Sequence, residues 1–294
     1  MKTRVLKYLL IIVLCLPSPV VIGGTLANIQ AYLINLIEKI PARPFSAMTG
    51  SEFARSVFSL DDSRREQAIL AQIMEGNLPD FLRKLKPVQL VHRFEDGKTT
   101  TAIIFVTPDY LAIGSDKDFL SIPMSLYTAT EIAAKFGFTL PTRVMVDAIF
   151  NQSVFHLAPK PMLPGPRMRS TQYYLEHNRK IQEQRSALCC PLDALISGNK
   201  KDVVLTNRLT WALGRIAIYG WHRLSGDPIQ PLSTVHGATY ADYSHGIRLV
   251  SDTVLIDNEP RSIYDVLEDP RLARILTDEG PIPKARRLMA LHHY

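Results

Sequence analysis

Between Tyr219 and Val250 the chain reads YGWHRLSGDPIQPLSTVHGATYADYSHGIRLV, gathering three of its eight histidines and three of its eleven tyrosines. His222, His236, Asp242 and His245 are the residues here that can do chemistry. Neutral imidazoles and a carboxylate are normal ligands of a catalytic zinc, which keeps three protein ligands and one open position. On that reading His222, His236 and His245 hold the metal. The spacing is not that of a zinc motif: His236 and Asp242 are six residues apart and Asp242 and His245 three, unlike the helical H-E-x-x-H pattern.

A second reading uses the same residues without a metal. His236 or His245 acts as general acid or base, Asp242 fixes its tautomer, and Tyr240 shares the face of Asp242. Ser233, Ser244 or a cysteine is then the nucleophile. Ser244 and His245 are neighbours, and neighbours on an extended strand point to opposite faces, so they pair only where the backbone bends. A third reading is a non-enzymatic module in which Tyr219, Trp221 and Tyr243 stack on a saccharide or peptide. A purely structural segment, with His236-Gly237 and His245-Gly246 marking turns, is the fourth. The peptidases that trim D-alanyl ends of peptidoglycan are excluded: their His and Asp lie one residue further apart, and their Trp-His comes after that pair, whereas Trp221-His222 comes before it.

Other polar residues have simpler expectations. Lys200, Lys201 and Asp202 read as a solvated turn at a strand start. Arg143 and Asp147, four apart on one helix, read as an intrahelical ion pair. Apart from Cys15, which lies in the N-terminal segment expected to be cleaved off, the cysteines are Cys189 and Cys190, adjacent and too close for an ordinary disulfide, so no long-range disulfide framework is expected. His292 and His293 fall at a terminus where fraying is the default.

The elements that must position these groups follow from pattern. Asn28–Ile40 is apolar and helical, ended by Pro41 and Pro44. Ser63 and Glu66 have capping-box spacing ahead of Ile69, Leu70, Ile73 and Met74, with Gly76 as C-cap. "VQLVHRF", "TTTAIIFV", "YLAIG" and "FLSI" read as an antiparallel meander, with Asp96-Gly97 as a tight hairpin turn. Thr128 and Glu131 form a second capping box, Thr142 caps the next helix, and Ser170–Leu188 is a polar helix. "DVVLT", "GRIAIYG", "STVH", "GIRLV" and "DTVLI" form a second strand group, and Ser262 with Asp265 opens a closing helix pair through Leu276. The order is neither alternating βαβ nor all-β, so the expected class is α+β, antiparallel strand groups with flanking helices. Residues 25–294 form one such unit. A division into 25–156 and 170–294 about the proline-rich 157–169 stays open, as does whether both strand groups share a sheet.

The chain starts MKTRVLKYLLIIVLCLPSPVVIGG, with three cations, an apolar run and then small residues, the layout of a secretory signal peptide over residues 1–24. Pro17 and Pro19 break the run well short of the roughly 20 residues a membrane span needs, so no stable span is expected after cleavage. Losing that leader takes the formal net charge from +6 to +3. So small an excess, with no Gly-rich phosphate loop, argues against nucleic-acid and nucleotide binding. A secreted or periplasmic location with an envelope or extracellular ligand is the expectation.

The segments "GNLPDFLR", "VTPDYLAIGSDKDF", "LPTRVMVDAIF", "GNKKDVVLT" and "YGWH…IQP…HG…YADYSHGIRLV" together resemble a group of exported bacterial proteins with no established activity. The resemblance covers most of the chain beyond the leader and implies export and a single cooperating unit; it carries no catalytic residue. The expected function is an exported hydrolase, metal-assisted or His/Asp acid–base, acting on cell-envelope or extracellular polymer.

Overall fold

The computed structural model describes residues 39–290, all within one compact unit. The expected signal peptide, all but the last two residues of the expected helix Asn28–Ile40, and His292 and His293 lie outside them. The strands are β1 (Lys86–Arg93), β2 (Thr99–Val106), β3 (Ala112–Ser115), β4 (Asp118–Ser121), β5 (Phe138–Thr139), β6 (Phe155–His156) and β7 (Ile196–Ser197). They continue with β8 (Lys201–Val203), β9 (Ile218–His222), β10 (Pro228–Ser233), β11 (His245–Gly246), β12 (Val250–Ser251), β13 (Thr253–Ile256) and β14 (Glu259–Ser262). The helices are α1 (Gly50–Ser56), α2 (Asp62–Met74), α3 (Leu126–Phe136), α4 (Arg143–Gln152), α5 (Thr171–Ala187), α6 (Ile263–Glu268), α7 (Ala273–Leu276) and α8 (Ala285–Met289). The fold is α+β, with open, mainly antiparallel sheets.

The β1–β2 hairpin anchors the larger sheet because its sequence alternates. Val88 and Leu90 point inward opposite Ile104 and Ala102, while Gln89 and Val91 face out. Burying each of Val88, Leu90 and Ile104 contributes about 1.5–3 kcal/mol. The hairpin turn differs from the expected two-residue type. Phe94 N–H bonds to Lys98 O and Gly97 N–H to Phe94 O, leaving a three-residue loop whose Gly97 takes φ +80°.

The two strand groups do share a sheet. β12 and β13 lie along the same edge of β2, through Val250 opposite Val106 and Leu255 opposite Ile103, giving the order β14-β13-β2-β12-β5 with β1 on the far edge of β2. A second sheet runs β10-β9-β8-β11, and its β8–β11 pair is parallel, placing Lys201 opposite His245 and Asp202 opposite Gly246. β3 and β4 form a separate hairpin, so the expected meander splits after β2.

Helix starts depart from expectation in an instructive way. Asp61, not Ser63, caps α2, and Glu66 reaches across to Ser125 N–H and the Thr128 hydroxyl at the start of α3. α3 begins three residues before the Thr128 box, capped by Ser125. Thr142 caps α4 and Ser170 caps α5 as expected. Ser262 precedes α6 without a side-chain cap bond.

The proline-rich segment 157–169 is tied down. Tyr243 accepts from Met162 N–H at 2.7 Å and donates its own N–H to Met168 O at 3.0 Å, and Tyr173 donates to Leu163 O at 3.3 Å. This strap holds β11 and its approach loop, which carry Tyr240, Asp242 and His245, against α5.

Candidate active site

Residues 236–246 are built by a bend. Asp242 Oδ1 accepts from Ser244 N–H at 2.8 Å and from the Ser244 hydroxyl at 2.6 Å, and His245 N–H closes the turn on Asp242 O at 3.0 Å. The side chain of Asp242 thereby replaces a strand partner for its own backbone. The Ser244 hydroxyl is committed to Asp242, so it does not pair with His245.

Tyr240 donates its phenol to Asp242 Oδ2 at 3.1 Å, and His236 stacks parallel on the Tyr240 ring at 4.1 Å between centroids. His245 meets the same ring edge-on at 5.7 Å and lies 6.4 Å from the His236 ring. Its Nε2 is 3.9 Å from Asp242 Oδ2, too long for a hydrogen bond, and neither ring nitrogen has a partner. Asp242 and His245 are buried, whereas His236 and Tyr240 are partly open to solvent. Lys201 stands opposite His245 with its Nζ 5.1 Å from the Trp221 ring.

Electrostatics separates the roles of these groups. Burial pushes His245 down to about 4, against the opposing pull of Asp242, so its imidazole is neutral at pH 7. Burial alone would raise Asp242, but His245, the two Ser244 bonds and Lys201 outweigh it and hold the carboxyl below its ordinary range. Burial and then the Asp242 charge lift the Tyr240 phenol to about 12, so it is protonated at pH 7.

A cavity of about 450 Å³ adjoins this cluster, lined by Asp62, Glu66 and Glu131 from α2 and α3 and by Arg169 and Thr239. Thr239 precedes Tyr240 in the chain. The Arg169 guanidinium lies 5.3 Å from the Tyr240 ring centroid and pairs with Asp62. Glu66 is raised by burial despite the bonds it accepts from Thr128 and Ser125.

His222 belongs to a different cluster. Its Nε2 lies 3.0 Å from Asp147 Oδ1, which also accepts from Tyr219 at 2.9 Å, and its ring stacks on Phe150 at 4.6 Å. Gly220 permits this packing: it takes φ +99°, and a Cβ there would approach the His222 ring to 3.2 Å. Here the imidazole is buried and the carboxylate is 42% exposed, the reverse of the arrangement a histidine base needs. Asp147 is therefore not the ion-pair partner of Arg143; Arg143 pairs with Asp278 instead. His222 stands two strands away from β11, apart from His236 and His245. Among the described residues no group of three His, Cys, Asp or Glu side chains is placed to hold a metal ion.

The expected aromatic strip is also divided. Tyr219, Trp221 and Tyr243 are all buried, so none offers an open stacking face. The expected solvated turn at Lys200–Asp202 is largely buried too, Lys200 and Asp202 fully and Lys201 in part. Lys200 has its ammonium on Tyr243 O at 2.6 Å, and Asp202 accepts from Tyr110 at 2.8 Å. Burial brings Lys200 down to about 7 and Asp202 up to about 6. Lys201 and Arg169 were the functional-site neighbours least visible in the sequence; the one signal for Lys201 was its place in a pair of cations running directly into an apolar strand.

Comparison with family models, with curated proteins and with solved structures finds no match to this chain. Among the described residues no helix is long and apolar enough to cross a membrane.

Proposed function

We propose that the protein is an exported hydrolase of cell-envelope or extracellular polymer, working by acid–base catalysis at His236, Tyr240, Asp242 and His245. The observation that carries this reading is the Tyr240 phenol, donated to a buried carboxylate and stacked on the one imidazole of the cluster that reaches solvent. In this scheme His236 takes a proton from the attacking water. Asp242 orients the Tyr240 phenol, which gives its proton to the leaving group and regains one from solvent as the His236 imidazolium releases the proton it took from water. Neutral His245 fills the buried side of Asp242 and keeps water from it. The adjoining cavity receives the substrate. The leader-like start of the chain supports a secreted or periplasmic location.

The test is hydrolysis of chromogenic ester, peptide and glycoside substrates by the wild type and by Tyr240→Phe. Removal of a positioned acid lowers kcat by about 10²–10⁴, with the melting temperature little changed because the ring and its stack remain. Equal activity in the variant, or no hydrolysis of any of the three classes by the wild type, refutes the proposal.

A further inference from the structure

We infer that Trp211, Leu213 and Val235 form a docking surface for an anionic lipid bilayer, which brings a membrane-bound substrate to His236. The inference rests on the hydrolase reading only for that substrate; the docking surface stands on its own geometry.

The three apolar side chains are held in solvent by one pair of loops. Trp211, Leu213 and Val235 are 72%, 75% and 73% exposed. Arg208 O accepts from Trp211 N–H at 3.4 Å and from Ala212 N–H at 2.9 Å, and Arg215 N–H bonds to Ala212 O at 3.2 Å, so residues 208–215 form a tight knuckle. The second loop is laid against it. Arg215 donates its guanidinium to Val235 O at 2.6 Å, Ile216 its N–H to His236 O at 3.1 Å, and Ala238 its N–H to Gly214 O at 2.8 Å. The Arg208 guanidinium adds a bond to Leu232 O at 2.8 Å. Single exposed apolar residues are ordinary on a protein surface, whereas a group of them carried on adjoining loops marks an interaction surface. Because the backbone beneath is already fixed, little ordering is needed on binding.

Charge selects the occupant. Residues 207–215 and 232–240 contain Arg208 and Arg215 and no Asp or Glu. The knuckle rests on residues 279–287 through Asn207, whose side-chain amide donates to Glu279 O at 3.0 Å and to Pro281 O at 2.9 Å. That support adds Lys284, Arg286 and Arg287 against the single carboxylate of Glu279, and Asp278, just before it, is taken by Arg143. Five cations and one carboxylate around an indole and two aliphatic side chains suit a bilayer surface. An indole settles at headgroup level, aliphatic groups reach the acyl boundary, and cations meet anionic headgroups. Val235 directly precedes His236, so a bilayer docked here lies one residue from the imidazole that reaches solvent.

The experiment mixes the full chain with vesicles of equal parts phosphatidylglycerol and phosphatidylcholine, or of phosphatidylcholine alone, and reads quenching of tryptophan emission by bromine-labelled acyl chains. The N-terminal leader contains no tryptophan and Trp221 is only 6% exposed, so quenching reports Trp211. The anionic vesicles should bind at least about tenfold tighter than the neutral ones, because each cation near the surface contributes about a fivefold factor. Leu213→Ser should weaken docking by at least about fivefold through lost apolar burial, and Trp211→Ser should leave the remaining emission unquenched. Leu163→Ser, at a leucine 80% exposed on the proline-rich strap, should change nothing. Equal quenching by both vesicle types, none by either, or equal losses in Leu213→Ser and Leu163→Ser overturns the inference. A lipid-free dimer seen by sedimentation velocity and dissociated by Leu213→Ser would assign the surface to a second copy and overturn it too. Docking without turnover of any substrate by the wild type keeps the surface and rejects the hydrolase; turnover without docking does the reverse, and Leu213→Ser should keep turnover of soluble substrates.

Discussion

Replacing Lys200 by methionine should change how stability depends on pH. The Lys200 ammonium is completely buried and has Tyr243 O as its hydrogen-bond partner. Burial lowers its pKa from 10.5 to about 7. Between these values the unfolded chain holds a proton that the folded chain has released, so the wild type gains stability as pH rises through pH 7–10.5 and is least favoured below pH 7. At about 1.4 kcal/mol per pKa unit, the gain between pH 6 and pH 9 is about 3 kcal/mol. The methionine side chain cannot titrate. It leaves Tyr243 O without its partner, a loss of about 1–3 kcal/mol that does not vary with pH. The difference in unfolding free energy between wild type and Lys200→Met, from urea titrations at pH 6, 7, 8 and 9, should therefore move by about 3 kcal/mol toward the wild type across the series. Because all other titrating groups are common to both proteins, a difference that stays constant with pH would refute the argument.

Two further substitutions probe the same core. His177 is fully buried with no partner for either nitrogen, and burial, followed by Lys200 and Lys180, holds it down to about 2. The unfolded chain gains a proton at this residue below about pH 6.5 while the folded chain does not, so stability falls as pH falls; His177→Leu should recover about 3 kcal/mol relative to wild type between pH 7 and pH 4.5, measured by urea unfolding. Gly246→Ala would place a Cβ 2.5 Å from the Tyr110 ring and 2.8 Å from Lys200 Cβ, so a loss of about 1–3 kcal/mol is expected. An unchanged melting temperature there would mean that β11 does not pack against β8 as described.

Local features were legible in the sequence wherever the deciding partner was a few residues away. Thr142 and Ser170 cap their helices because each needs only the N–H three residues on. The same spacing misled at Ser63 and Glu66, since a glutamate at that position can reach a neighbouring helix instead of its own, and the start of α3 attracted it. The α+β class followed from element order, but the sharing of β2 by strands from both ends of the chain rests on pairings about 150 residues apart, which no periodicity encodes. At the candidate site, Tyr240, Asp242 and His245 were close in sequence and proved close in space. His222 was drawn away by Asp147, whose spacing to Arg143 suited an ion pair that Asp278 took instead. The burial of Lys200 was hidden because charge alone predicts exposure.

The strap over Tyr243 bears on how the polypeptide tolerates being cut. A protease that nicked the chain between Pro164 and Gly165 would find composition typical of a linker, yet would release nothing. The upstream piece would carry β2 and β5, and the downstream piece would carry β12 and β13, which bond to them. Neither fragment could complete the six-stranded sheet alone, so the two should be recoverable as a complementing pair that refolds only when mixed.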